Sequence, residues 1–151
     1  MIHRLRRLDH LFERHPVYFV TTCTADRRGL LANEAVWRAV ERFGSLGIDR
    51  GAYLGRYVLM PDHLHVFVAF REDGPDLSSW MKSLKNSVSK VLRETGESAP
   101  HWQKGFMDHV LRGEESYSEK WEYVRRNPVR AGLVEAVEEW RWWGEPVEFR
   151  V

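Results

Sequence analysis

The sequence predicts an α+β domain: an antiparallel four-stranded sheet with helices packed on one face, the ferredoxin-like arrangement with one helix added. Three observations predict it. Runs rich in β-branched and aromatic residues alternate with helical segments in the order strand, helix, strand, strand, helix, strand, helix. The middle strands, "AYLGRYVLM" and "HLHVFVAF", are separated only by Pro61-Asp62, a connection so tight that it makes an antiparallel hairpin. A hydrophobic content of 43% with 13% aromatic residues gives a 151-residue chain a real core and argues against disorder.

The elements follow in order. "PVYFVTTCT" (16–24) is a strand, and "ADRRGLLAN" the loop after it. Asn33 caps a helix over roughly 34–46, with Val36, Val40 and Phe43 on one face, and "LGIDRG" breaks it. The hairpin strands span 52–60 and 63–70, and "REDGP" turns the chain. Asp76 caps a second helix, "LSSWMKSLKNSVSKVLRET", which ends at Gly96. "HWQKGFMDHVLR" (101–112) alternates as a strand. "EESYSEKWEYVRRN" (114–127) is a third helix, stopped by Pro128. A basic lead-in (1–16) and an acidic tail (135–151) flank these elements, and residues 1–151 read as a single domain. Trp140, Trp142 and Trp143 in the tail are expected to pack back over it.

Composition narrows the function classes. The single Cys23 excludes an intramolecular disulfide and a Cys-rich zinc site, and suits a reducing compartment. No apolar run approaches the roughly 20 residues of a membrane helix, and no apolar segment follows the basic N-terminus as in a secretory signal. A cytoplasmic protein is expected. The formal net charge is only +1, but residues 134–151 hold five Glu against two Arg, which leaves +4 on residues 1–133. Basic groups cluster there, at Arg4, Arg6, Arg7 and Arg14, at Lys82, Lys85, Lys90 and Arg93, and at Lys120, Arg125, Arg126 and Arg130. Such clusters suit either a phosphate-bearing partner or a solvated face.

"MPDHLHVFVAF" (60–70) holds the first candidate site. Alternation puts Leu64, Val66, Val68 and Phe70 on one face, and His63, His65, Phe67 and Ala69 on the other. Imidazoles at i and i+2 stand about 7 Å apart at their Cα atoms and can converge on one ion. The same pair also suits a wet sheet edge with hydrogen-bonded partners, and two ligands leave a divalent ion underfilled. At about 100° per residue, Tyr117, Trp121 and Val124 form an apolar stripe on the third helix. Tyr123 lies about 120° off it and meets Asn127 at i+4, with Arg126 beside them. A phenol off the apolar face, near an amide oxygen, suits a nucleophile beside a metal; an ordinary boundary tyrosine is the plainer alternative. Lys82, Lys85 and Ser89 align on the second helix, as a phosphate ridge or as a solvated face. His101, His109 and Cys23 read as structural.

Three segments carry a resemblance: "YVLMPDHLHVFV", "WMKSLKNSVSK" and "HWQKGFMDHVLRGEESYSEKWEYVRRNPVRAGLV". Together they resemble the single-tyrosine HUH transposases, in particular the REP-associated tyrosine transposases related to insertion-sequence transposases. The resemblance runs from about Val17 to Val134, and the pairing of "MPDHLH" with "YVRRNPVRAGLV" is what makes it specific. It implies the HUH endonuclease fold and a metal-dependent single-strand DNA endonuclease and strand transferase. His63 and His65 map to the metal-binding histidines and Tyr123 to the nucleophile. Asn127 stands where related transposases carry Gln, one methylene longer. The cofactor implied is a divalent metal, Mg²⁺ or Mn²⁺. The substrate implied is hairpin-forming single-stranded DNA, cut to a 5′-phosphotyrosine and a free 3′-OH. Arg4, Arg6, Arg7, Lys82, Lys85, Arg125 and Arg126 become the expected phosphate contacts, and exposed tryptophans the expected stacking platforms. Members act as monomers or homodimers. Two rivals stand beside this reading: a hairpin-binding module of the same fold that does not cut, and a metal-dependent hydrolase with no covalent step.

Overall fold

The computed structural model describes residues 15–150 and the backbone of residues 6–8. In chain order its elements are β1 (Arg6–Leu8), β2 (Val17–Cys23), α1 (Glu34–Gly47), β3 (Ala52–Leu59), β4 (His63–Phe70), α2 (Leu77–Glu94), β5 (Met107–Leu111), α3 (Glu114–Arg125), α4 (Asn127–Arg130), β6 (Trp143–Gly144) and β7 (Val147–Phe149). Strands β5, β2, β4, β3 and β6 lie side by side in that order, each neighbouring pair antiparallel. The four expected strands take the ferredoxin-like order, and the two-residue β6 adds a fifth at the β3 edge. β1 and β7 pair in parallel beside this sheet.

The two long helices start where capping chemistry allows. Asn33 Oδ1 accepts from Val36 N at 3.0 Å, and Asp76 Oδ1 from Ser79 N at 2.8 Å, each satisfying an orphan donor of the first turn. Both helices cover one sheet face. Val36 and Val40 of α1 and Trp80, Met81, Leu84, Val88 and Leu92 of α2 pack there against Leu64, Val66 and Val68. The additional helix α3 takes the opposite face, where Tyr117, Trp121 and Val124 meet Phe19, Phe67 and Ala69. The stripe predicted from helical spacing is the buried one, and Tyr123 is left 62% exposed.

Register decides what else reaches that second face. In β3, Ala52 and Leu54 face the long helices, but a register shift between Leu54 and Tyr57 inserts a bulge. Beyond it Tyr57 and Leu59 face the helices, and Arg56 and Val58 point toward α3. Gly55 sits at the bulge because a Cβ there would come within 2.7 Å of the Phe149 ring from β7.

Two boundaries differ from expectation. The fourth strand is confined to Met107–Leu111, with a single bridge from Trp102 to Thr24 upstream of it. Pro128 does not end the helical path: α3 stops at Arg125, and Pro128 occupies the first turn of α4, where its missing N–H costs nothing. Cys23, the last residue of β2, is partly exposed. Among the described residues no helix is long and apolar enough to cross a membrane.

Candidate metal and tyrosine site

His63 and His65 project from β4 on the face that α3 covers, their rings edge to face with centroids 4.9 Å apart. An outer oxygen holds each ring at Nδ1. For His63 it is Asp62 Oδ1 at 2.8 Å, and for His65 it is Thr21 Oγ1 at 2.8 Å, brought opposite by the β2–β4 register. Phe19 stacks on His65, ring centroids 5.3 Å apart and planes 16° from parallel. Burial pulls the Asp62 carboxyl upward, but bonds from His63 and Arg27 outweigh it and hold Asp62 below the usual range. Burial, followed by the charges of His63, Lys120 and Arg130, pushes His65 down to about 3. His65 is therefore neutral at physiological pH, the form of imidazole that ligates.

Asn127 joins this edge from the start of α4. Its Nδ2 lies 3.0 Å from His65 Nε2, and its Oδ1 accepts a bond from Arg130. In this orientation the amide turns nitrogen toward the histidine. To serve as an oxygen ligand it must rotate and release Arg130. Arg130 also donates from Nη2 to the Tyr123 carbonyl at 2.6 Å, and its guanidinium lies 4.0 Å from the Tyr123 ring centroid. One arginine thus ties the exposed tyrosine to the amide.

Among the described residues no three His, Cys, Asp or Glu side chains gather into a metal-binding group. What fits a divalent cation is the imidazole pair itself. Both Nδ1 atoms are occupied by outer oxygens, the arrangement that orients ligating histidines, and the Asn127 amide beside them could offer its oxygen only after turning away from Arg130.

The expected DNA contacts fare unevenly. Lys82 is exposed. Lys85 turns inward, donating to the carbonyls of Gln103 and Gly105 at 3.2 and 2.6 Å, and burial lowers its pKa. Ser89, placed on the same ridge, is buried and bonded to His101 and Trp102. The ridge fails as a continuous face because the loop of residues 101–105 docks over its second half. Arg125 pairs with Glu122 at 2.8 Å, and Arg126 approaches the same carboxylate at 3.8 Å. Arg4 and the side chains of Arg6 and Arg7 lie outside the described residues.

Sequence reasoning missed the parts played by Thr21, Asp62 and Arg130. Arg130 was legible in principle, since it follows Asn127 at i+3 and Tyr123 at i+7. Asp62 adjoins His63 directly. Nothing local marks Thr21, because only strand register sets it opposite His65.

The ferredoxin-like sheet carries a His-Leu-His edge beneath a helix with an exposed tyrosine, and this is the fold expected of the HUH class. Residues 15–127 match the family model described as Transposase IS200 like, and the chain belongs to that family. It is 27% identical over 92 residues to the REP-associated tyrosine transposase of Escherichia coli (strain K12), covering 61% of this chain and 53% of that protein. The match spans about half the length of that protein and of the putative REP-associated tyrosine transposase of Haemophilus influenzae. Its structure also resembles that of a REP-associated tyrosine transposase bound to a REP hairpin. The TM-score is 0.70 at 23% identity, over 94% of this chain and 82% of that one, a likeness of fold.

Proposed function

We propose that this protein is a metal-dependent single-strand DNA endonuclease and strand transferase that acts on hairpin-forming DNA through a covalent 5′-phosphotyrosine on Tyr123. The observation that carries the reading is the contact of Asn127 with His65, which joins the tyrosine helix to the histidine edge. Membership of the transposase family, and the hairpin held by the REP-associated relative, support the substrate class.

His63, His65 and Asn127 would hold the cation. When bound, a divalent ion supplies Lewis-acid polarisation of the scissile phosphate. The rest falls to the chain's own groups. Asp62 and Thr21 keep the imidazoles aimed. Tyr123, exposed and stacked under Arg130, presents its Oη for in-line attack on phosphorus. The phenol gives up its proton to solvent as the P–O bond to Tyr123 forms and the P–O3′ bond breaks, and the departing oxygen takes up a proton from solvent as a free 3′-OH. Because the phosphodiester energy is kept, a 3′-OH can reverse the step and rejoin strands. Lys82, Arg125 and Arg126, with Arg4, Arg6 and Arg7, are the proposed phosphate contacts, and Lys85, turned onto the carbonyls of the 101–105 loop, is set aside.

The test uses 3′-end-labelled hairpin oligonucleotides with single-stranded flanks, incubated with Mn²⁺ and either the natural protein or Tyr123→Phe. A denaturant-stable labelled adduct, lost in the variant, is expected. Cleavage that survives Tyr123→Phe would mean hydrolysis without a covalent step. Binding without cleavage would make the chain a hairpin-binding module.

A further inference from the structure

The tail does more than cover the sheet. Between α3, β3 and residues 137–145 lies a cavity of about 210 Å³ walled by Trp121, Trp140 and Trp143. Trp121 and Trp143 stand 5.8 Å apart at their ring centroids with planes 43° from parallel. On its lining, Arg56 Nε donates to Glu145 Oε2 at 3.1 Å, and the Arg56 guanidinium lies 5.0 Å from the Trp121 ring centroid. Glu145 is largely enclosed, its side chain 16% exposed. One of its oxygens is spent on Arg56 and the other remains for a donor. Trp143, by contrast, is 44% exposed and leaves the pocket open to a ligand from outside.

A second cavity, of about 430 Å³, continues from the first and shares Arg125, Val137 and Glu138 with it. Arg125, Arg126 and Arg130 line its α3–α4 side, facing Glu135 and Glu138 of the tail. Arg130 is the residue stacked on Tyr123. A trough with arginines on one wall and two glutamates on the other therefore leads from the arginine stacked on Tyr123 to an aromatic pocket furnished with one carboxylate and one guanidinium.

We infer that the tryptophan pocket receives a single unpaired nucleobase from the DNA strand that runs along this trough. Indole faces suit any flat heterocycle, whose stacking needs no particular sequence. The carboxylate and guanidinium add what stacking lacks. Glu145 accepts from a ring or exocyclic N–H, and Arg56 donates to a ring nitrogen or carbonyl; the bases differ in the order and spacing of these groups along an edge, so the pair distinguishes one base from another. The arginines of the trough meet the phosphates on either side. The tail is thereby a wall of the binding site and contributes sequence preference at one position. This inference rests on the reading that the chain binds single-stranded DNA.

The experiment uses the whole 151-residue chain without divalent cation, so that the strand stays intact whether or not the protein cuts it. 2-Aminopurine is placed at each flank position of a hairpin oligonucleotide in turn, and binding is followed separately by mobility shift. One position is expected to lose fluorescence severalfold on binding, and an abasic site there to weaken binding about tenfold. Trp143→Ala abolishes that quenching. Glu145→Gln leaves the fold and abasic-strand affinity unchanged but alters which base is preferred at that position, which a merely structural carboxylate would not do. Binding with uniform quenching along the flanks, or quenching and base preference indifferent to both variants, overturns the pocket and leaves the DNA reading standing. Absence of any binding overturns both.

Discussion

Asn127 Nδ2 lies 3.0 Å from His65 Nε2 across 62 residues of sequence, and this contact couples the sheet edge to the helix that carries Tyr123. Arg130 completes the link, bonded to Asn127 and to the Tyr123 carbonyl. Movement of one part is felt by the others.

Asp62→Asn should weaken Mn²⁺ binding about ten- to a hundredfold while the protein stays folded, because Asp62 orients His63 through Nδ1. Electron paramagnetic resonance titration of free Mn²⁺ measures it. An unchanged affinity would remove His63 from the ligand set.

Arg130→Lys keeps the positive charge but loses the planar fork that reaches Asn127 and the Tyr123 carbonyl together. Misplacing a nucleophile by even about 1 Å costs on the order of a hundredfold in rate. Adduct formation should slow by about ten- to a hundredfold while hairpin affinity by mobility shift holds. Equal losses in both would assign Arg130 to binding alone.

Gly144→Ala should loosen the tail. A Cβ there would lie 2.8 Å from the Tyr57 ring and collide with Glu41 Oε1. Neither neighbour can yield easily, since the Tyr57 hydroxyl donates to Glu41 at 2.8 Å and Tyr57 is fully buried. A cost of about 1–3 kcal/mol is expected. Amide hydrogen exchange across residues 143–149 should accelerate, and unchanged protection would show that the edge tolerates a methyl group.

Glu41→Gln tests a buried charge. Burial raises the Glu41 carboxyl above its ordinary value of 4.5, against the lowering effect of the Tyr57 bond. The folded protein thus retains a proton that the unfolded chain releases, so this group's stability contribution is full below 4.5 and falls as pH rises through the folded value. Glutamine keeps an acceptor for Tyr57 and carries no charge. The variant should show a higher urea midpoint than the natural protein at pH 8, with the gain shrinking toward pH 4. A gain independent of pH would trace the effect to packing instead.

Much of this was legible in the residues. Strand alternation set His63 and His65 on one face, and helical spacing separated Tyr117, Trp121 and Val124 from Tyr123, because both patterns follow from local geometry alone. The inward turn of Lys85 was not legible. It depends on where the loop of residues 101–105 comes to rest, and no local period encodes that. The same holds for Pro128, which reads as a stop signal and instead opens a new turn.

The strand and helix order, the face on which the imidazoles project, and the exposure of the tyrosine all follow from the residues alone. Periodicity and caps act over a few residues, so they survive in a linear reading. Tertiary structure alone decided that α3 lies over the histidine face, that Thr21 stands opposite His65, and that Arg130 bridges Asn127 and Tyr123. It also decided that a bulge at Gly55 turns Arg56 toward Trp121 and that the tail closes a pocket over both. These relationships join residues tens of positions apart, and they come from register and packing, which exist only once the chain has folded.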